Sequence, residues 1–530
     1  MQERGSLCGS VLLVCLTASL TGILAGCGTG ALSGSKPGSG PAETTPSTSA
    51  PTGYLTWKND RLRTGLQSNE TILTPANVNP AQFGEKFSYP LDAWTYAQPL
   101  YVAGLTIGGA KHNVVFVATE HDSVYAFDAD RPGPPIWQIS FLGPGTTTVP
   151  SVATKDRFLA PNGIGITSTP VIDPNSGTIY VLAQTVENGV YANKLHALDL
   201  ASGADKPGSP IALSAAGFQA KQEFQRSALL LANGNIYVAF ASYAGDRLPY
   251  NGWVFAVDAA SLRQIASWNA TASGSQGGIW MAGTGPAADE DGNLYVATGN
   301  GTWNGTTDFG MSVIKLDSTL HVLDYFTPFN VFALSEADYD LASGGVLLVP
   351  HQSGIFPNEA IICGKPDSVY VLNRDSMGHK GSSDDTQIIQ SLPHQVGGIG
   401  RVHADHHCFT TAAYFNHKIY FVGNNDVIKA FTLNWRTGQL SSAPVSHGSF
   451  AFVFPGAQPV VSSNGTADGI VWAVDHGPAA SLHAFDANDV SRELYRSPSI
   501  GDGIKWAVPT VINGKVYVAT KNRLVVFGLK

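Results

Sequence analysis

Charge is what this chain has least of. Only 13% of its 530 residues are Asp, Glu, Lys or Arg, against roughly 25% in an ordinary globular protein. Lys and Arg number 31 against 40 Asp and Glu, with no basic run anywhere. A net charge of −9 excludes nucleic acid as the expected partner, because phosphate binding needs clustered cations. So few Lys and Glu also exclude a protein made mainly of exposed helix or coiled coil. Cysteine is scarce, at five, and no C-x-x-C-H haem-attachment run occurs. No G-x-S-x-G, Walker loop or H-E-x-x-H is present, so hydrolase and nucleotide-binding readings lack support. Glycine (58) and proline (31) are abundant, together about one residue in six against a usual share of roughly 12%. Hydrophobic residues still reach 43%, too many for a disordered chain. What remains is a turn-rich, sheet-rich protein with a large core.

The first 27 residues read as a bacterial export signal. Arg4 supplies a weak positive end, and an apolar stretch runs from Val11 to Leu24. It is too short and too interrupted by glycine for a membrane span. It ends in Leu24-Ala25-Gly26-Cys27, which resembles the lipobox of bacterial lipoproteins. The resemblance implies a lipid on the Cys27 thiol; an ordinary signal cleaved nearby is the alternative. Residues 28–53 are nearly all Gly, Ser, Thr, Pro and Ala, a flexible tether with nothing to pack. The expectation is an exported, membrane-anchored lipoprotein facing the periplasm or the cell exterior, with a single domain over 54–530. Only Cys363 and Cys408 fall in that domain. They form either a disulfide or two buried thiols, since sequence gives no distance.

Residues 54–530 repeat one unit: a short strand, a turn, an I/V-Y-V-A strand, and a strand ending A-F/L/V-D. Examples are Val115-Phe116-Val117-Ala118 with Val124-Tyr125-Ala126-Phe127-Asp128, and Val471-Trp472-Ala473-Val474 with Leu482-His483-Ala484-Phe485-Asp486. Alternation over 4–8 residues between Gly, Asn and Asp turns is a strand pattern. A repeat of about 40–50 residues made of such strands is the propeller signature. The spacing predicts an all-β, eight-bladed β-propeller of four-stranded antiparallel blades, with seven blades as the fallback count. The last unit shows three strands, and the segment from Phe83 to Leu91 can supply its fourth. That pairing would close the ring and remove the open sheet edge.

The phrase Ala126-Phe127-Asp128-Ala129 followed by Trp137 resembles the repeat of quinoprotein dehydrogenases. These are eight-bladed propellers that use pyrroloquinoline quinone (PQQ) and calcium. The same repeat resembles a non-enzymatic relative, the propeller lipoprotein of the outer-membrane barrel assembly machinery. The dehydrogenase resemblance implies a set of site residues. Gly278-Ile279-Trp280 before Gly299-Asn300-Gly301-Thr302-Trp303-Asn304 implies Trp280 as the platform under the quinone and Asn300 as a calcium ligand. Asp338-Tyr339-Asp340 implies Asp340 as the general base. Lys365, 25 residues on in Gly364-Lys365-Pro366-Asp367, implies a cation on the quinone oxygens. Glu187-Asn188-Gly189-Val190 implies Glu187 as a calcium carboxylate, with a register one residue too long. The adjacent Cys-Cys pair of many alcohol-oxidising members is absent, and no Arg is assignable to the quinone carboxylates.

Each of these residues also has a plain structural reading: a core Trp, an Asn in a left-handed turn, a capping Asp, a solvated Lys, a loop Glu. A separate group, His403, Asp405 and His407, would share one face of a strand and could hold a metal. Two functions follow. One is a lipid-anchored binding or scaffold module, taking a protein or small-molecule ligand at the funnel and at rim loops 139–167 and 374–402. The other is a PQQ- and calcium-dependent dehydrogenase of an alcohol or sugar.

Overall fold

The computed structural model describes residues 53–151, 161–243, 248–398 and 406–530. The export signal, Cys27 and the tether up to residue 52 lie outside them. Among the described residues, eight sheets of four or five strands follow one another along the chain, so the count is eight blades and not seven. Among the described residues the helical elements are Val331–Glu336 and two short 3-10 turns, Met281–Gly283 and Leu341–Ser343.

The I/V-Y-V-A phrases are the second strands of their blades, as in Thr178–Glu187, Asn235–Ser242, Leu294–Ala297 and Lys515–Ala519. The A-F/L/V-D phrases are the third strands, as in Ser123–Asp128, Trp253–Asp258 and Leu482–Asp486. Each blade is sandwiched between two others. Asn235–Ser242 is therefore buried at every position, and successive residues feed different clusters: Ile236, Val238 and Phe240 pack toward one neighbour, Tyr237 and Ala239 toward the other. Such positions have no room for Lys or Glu, which is where the missing charge went.

The ring closes as the sequence predicts. Phe83–Pro90 pairs antiparallel with Arg523–Leu529, from Phe83 opposite Leu529 to Pro90 opposite Arg523. A segment from the beginning of the repeats and the last strand thus share the eighth blade.

A second device was not legible in the repeats. The innermost strand of a blade has no neighbour on its axial side, so its edge amides need acceptors. Residues 53–70 run into the ring and supply them. Gly53–Tyr54 pairs with Tyr101 and Val102 of the first blade. The carbonyls of Leu55, Arg61, Leu62, Thr64 and Gly65 then accept from Ile172, Ala288, Leu348, Tyr414 and Val461 at 2.8–2.9 Å, one amide in each of five blades. Leu66–Gln67 adds as a parallel strand to Val460–Asn464, and Glu70 accepts from Gly514 of the last blade at 2.9 Å.

Two buried cations complete this axial plug. Lys58 donates to the carbonyls of Thr411 and Ala412 at 2.6 and 2.8 Å. Arg63 donates to the carbonyls of Pro286, Leu229 and Trp57 and to the Thr56 hydroxyl. Burial lowers the Lys58 pKa well below its ordinary value and that of Arg63 to about 10, with Asp60 pulling both partly back. Arg63→Met strands these carbonyls, and each buried carbonyl left bare costs about 1–3 kcal/mol. The expected result is a thermal midpoint several degrees below wild type; an unchanged midpoint would show that the plug does not hold the ring.

Candidate axial site

Antiparallel order places the start of every first strand and the end of every second strand at the same end of its blade. Trp280 precedes the first strand Ala287–Ala288, and Asn300 follows the second strand Leu294–Ala297. Asp340 precedes Leu347–Leu348, and Lys365 follows Glu359–Cys363. Four residues from two consecutive blades therefore reach one end of the ring.

They meet there. The Asn300 backbone amide donates to Asp340 Oδ1 at 2.8 Å, and Asn300 Nδ2 donates to Asp338 Oδ1 at 2.8 Å. Lys365 Nζ donates to Asp340 Oδ2 at 2.8 Å, to Asp338 Oδ2 at 3.1 Å and to the Asp338 carbonyl at 2.9 Å. Gly299 is the hinge of the group. A Cβ there would run into Asp340 Oδ1 and lie 3.0 Å from Trp280 Cδ1. Asn300 Oδ1 is buried with no hydrogen-bond partner. Burial raises the Asp340 carboxyl to about pKa 6, against the pull of Lys365 and with a further push from Asp338. Burial alone would lower Lys365, but the facing carboxylates outweigh it and leave it raised.

Cys363 and Cys408 form a disulfide, with Cα atoms 5.7 Å apart. It ties the turn carrying Lys365 to the residue after His407. The Cys408 amide donates to the Gly364 carbonyl at 3.1 Å. Ser343 bridges the same parts, accepting from the Lys365 amide and donating to the Cys408 carbonyl, both at 2.8 Å. His407 lies edge-on to Tyr339, 4.9 Å between ring centres. His403 and Asp405 lie outside the described residues. Among the described residues, no three His, Cys, Asp or Glu side chains are grouped to hold a metal.

Glu187 stands apart from the cluster. Its strand pairs with the inner strand only up to Tyr180. Beyond Tyr180 the strand stays paired with Val190–Asp199, and its last three residues, Thr185–Glu187, pair on the other side with Thr146–Thr148. At the tip, Glu187 takes an ion pair from Lys194 at 2.6 Å and a hydrogen bond from Thr185 at 3.0 Å.

Sequence reasoning missed Arg226. Its guanidinium lies 4.2 Å over the Trp506 ring and 6.0 Å over the Trp280 ring. It lines an axial cavity with Trp57, Tyr96, Thr167, Thr169, Gly283 and Trp506. Arg226 and Trp506 are 280 residues apart, and no local motif marks either.

Asp340 and Trp280 both lie against Gly299, and that shared neighbourhood has a spectroscopic consequence. Tryptophan emission should show a step near pH 6 that is missing in Asp340→Asn and in Trp280→Phe. A step that survives Asp340→Asn would assign that titration elsewhere.

No protein-family model and no curated protein matches the chain. Solved structures do. A quinohemoprotein alcohol dehydrogenase from Comamonas testosteroni is 16% identical, with TM-score 0.61 over 90% of this chain and 80% of that one. A quinohemoprotein alcohol dehydrogenase from Pseudomonas putida HK5 is 13% identical, with TM-score 0.64 over the same shares. A europium-containing methanol dehydrogenase is 14% identical, with TM-score 0.60 over 91% of this chain and 98% of that one. The resemblance read from the repeats holds at the level of architecture: this chain shares the propeller fold of the quinoprotein alcohol and methanol dehydrogenases.

Proposed function

We propose that the protein is an exported, membrane-tethered propeller that binds a ligand at its axial face without redox chemistry. The observation that carries this reading is the ammonium of Lys365. Its three N–H bonds are matched by three oxygens, the Asp338 carbonyl, Asp338 Oδ2 and Asp340 Oδ2. Calcium asks for roughly six to eight oxygen ligands. Here the carboxylates already face a resident cation, and Glu187 is engaged with Lys194. A flat quinone on Trp280 would compete with Arg226. The guanidinium lies 6.0 Å from that ring, whereas a ring between two stacked partners needs about 7 Å, twice a contact distance of about 3.5 Å. The residues present therefore do not fit PQQ with calcium, and no step runs through either.

Two observations favour the second reading, a PQQ- and calcium-dependent dehydrogenase. Asn300 Oδ1 is a buried acceptor without a donor, as a metal ligand would be, and Asp340 is raised toward the range of a general base. Adding PQQ and calcium to purified protein decides between the two. The binding reading expects no quinone absorbance on the protein and no dye-linked oxidation of alcohols or sugars. Bound quinone with turnover that disappears in Asp340→Ala would replace it with the dehydrogenase. The tether has its own test: Cys27→Ser should move the protein from the membrane to the soluble fraction, and a variant that stays with the membrane rejects the lipid anchor.

A further inference from the structure

A second cavity opens where the chain enters the ring, beside Gly53, at the seam between the last blade and the first. Its volume is about 410 Å³, within the roughly 300–1,000 Å³ of small-molecule sites. Asn59, Gln67 and Asn69 of the plug line it, with Tyr101 of the first blade and Asn513 of the last. Asn513 lies in the turn between the first strand Thr510–Ile512 and the second strand Lys515–Ala519. The cavity is therefore at the end of the axis opposite Asp340 and Lys365. Four carboxamides and a phenol make up its polar lining, and among the described residues no charged side chain lines it.

Backbone pairing fixes these side chains. Leu66–Gln67 lies as a parallel strand on Val460–Asn464, and Asn69 bridges to Asn464. Asn59 and Asn513 stand in left-handed turns, with φ of 72° and 54°, a conformation that Asn tolerates. What the side chains lack is partners. Gln67 is 6% exposed. Its Oε1 accepts from the Asn69 amide at 3.1 Å, and its Nε2 has no acceptor among the described residues. Tyr101 is 1% exposed. Its hydroxyl accepts from Asn513 Nδ2 at 3.3 Å, and its own proton has no acceptor among the described residues. Burial raises Tyr101 to about 12, against Asn513 and with a further push from Asp130, Asp128 and Glu70, so the hydroxyl keeps that proton. Asn59 Nδ2 donates to the Leu66 carbonyl at 2.7 Å, which leaves Asn59 Oδ1 to accept. Asn513 Oδ1 is left in the same condition.

We propose that this seam cavity binds a neutral carbohydrate, a mono- or disaccharide, through Gln67, Tyr101, Asn59 and Asn513. A sugar hydroxyl both donates and accepts, and the cavity offers both partners: donors on Gln67 and Tyr101, acceptors on Asn59 and Asn513. A cation would meet those donors with no carboxylate to balance it. An anion would lose its water with no cation to replace it, and it would feel Asp128, Asp130 and Glu70 as Tyr101 does. The site goes beyond the reading proposed for the opposite end of the axis and stands independently of it.

Glucose and maltose are the probes, with glucuronate as the charged counterpart of glucose, titrated by calorimetry against the full chain. At least one of the neutral sugars should saturate the protein below about 10 mM, and glucuronate should bind at least about tenfold weaker than that sugar. Gln67→Met, Tyr101→Phe and Asn513→Gly should each weaken the neutral sugar severalfold. Tyr101→Phe keeps the ring and deletes only the hydroxyl, and Asn513→Gly suits the left-handed turn. These two serve if Gln67→Met, which also strips the Asn69 amide of its acceptor, does not fold. No saturation by either neutral sugar up to about 10 mM, or glucuronate bound as tightly, overturns the carbohydrate site. Binding undiminished in all the variants that fold places the sugar elsewhere and overturns it as well.

Discussion

Everything in this ring depends on what becomes of the amides at the axial edge of each innermost strand. Blades stack face to face, and stacking satisfies side chains, not backbone edges. In water such edges would be harmless; inside a closed ring they are buried. Five of them donate to carbonyls of residues 55–65. A buried amide without an acceptor costs about 1–3 kcal/mol, so this short run contributes on the scale of a whole domain's net stability, roughly 5–15 kcal/mol. The run also explains why a low-charge protein buries Lys58 and Arg63 completely. Arg63 gathers carbonyls from two blades, those of Leu229 and Pro286, and Lys58 ties the plug to a third through Thr411 and Ala412.

The same plug prepares the site at the other end. Trp57 packs among the last two blades and floors the axial cavity. Above it, the loops are held in conformations that side chains rarely adopt. Met281 and Ala282 directly after Trp280, Asp338 in the carboxylate cluster, and Trp506 under Arg226 all have φ between 46° and 61°. Left-handed backbone at such residues costs on the order of 1–3 kcal/mol each. Strain of this kind persists where the surroundings over-determine it, here the Lys365 network and the Cys363–Cys408 bridge.

The blades were legible because burial on both faces forces apolar second strands, and turn residues punctuate them. Closure was legible because the last unit lacked a strand and Phe83–Pro90 carried the alternation to replace it. Trp280, Asn300, Asp340 and Lys365 could be found together because each occupies an equivalent end of a repeat. Glu187 sits at such an end as well, but its strand runs on past the inner strand to pair with Thr146–Thr148, where Lys194 takes its carboxylate; no sequence pattern marks that extension. Lys58, Arg63 and Arg226 were illegible for a different reason. Read locally they are solvated cations, and only contacts far along the chain bury Lys58 and Arg63 and set Arg226 on the Trp506 ring.

The direction in which the chain enters the ring gives the molecule a polarity. Gly53 lies opposite Val102 and Tyr54 opposite Tyr101, so the described chain starts at the far end of the first inner strand and runs toward its beginning. That far end is opposite the one where Trp280, Asp340 and Lys365 gather. The ring is thus entered from the end that does not carry the Asp340–Lys365 cluster.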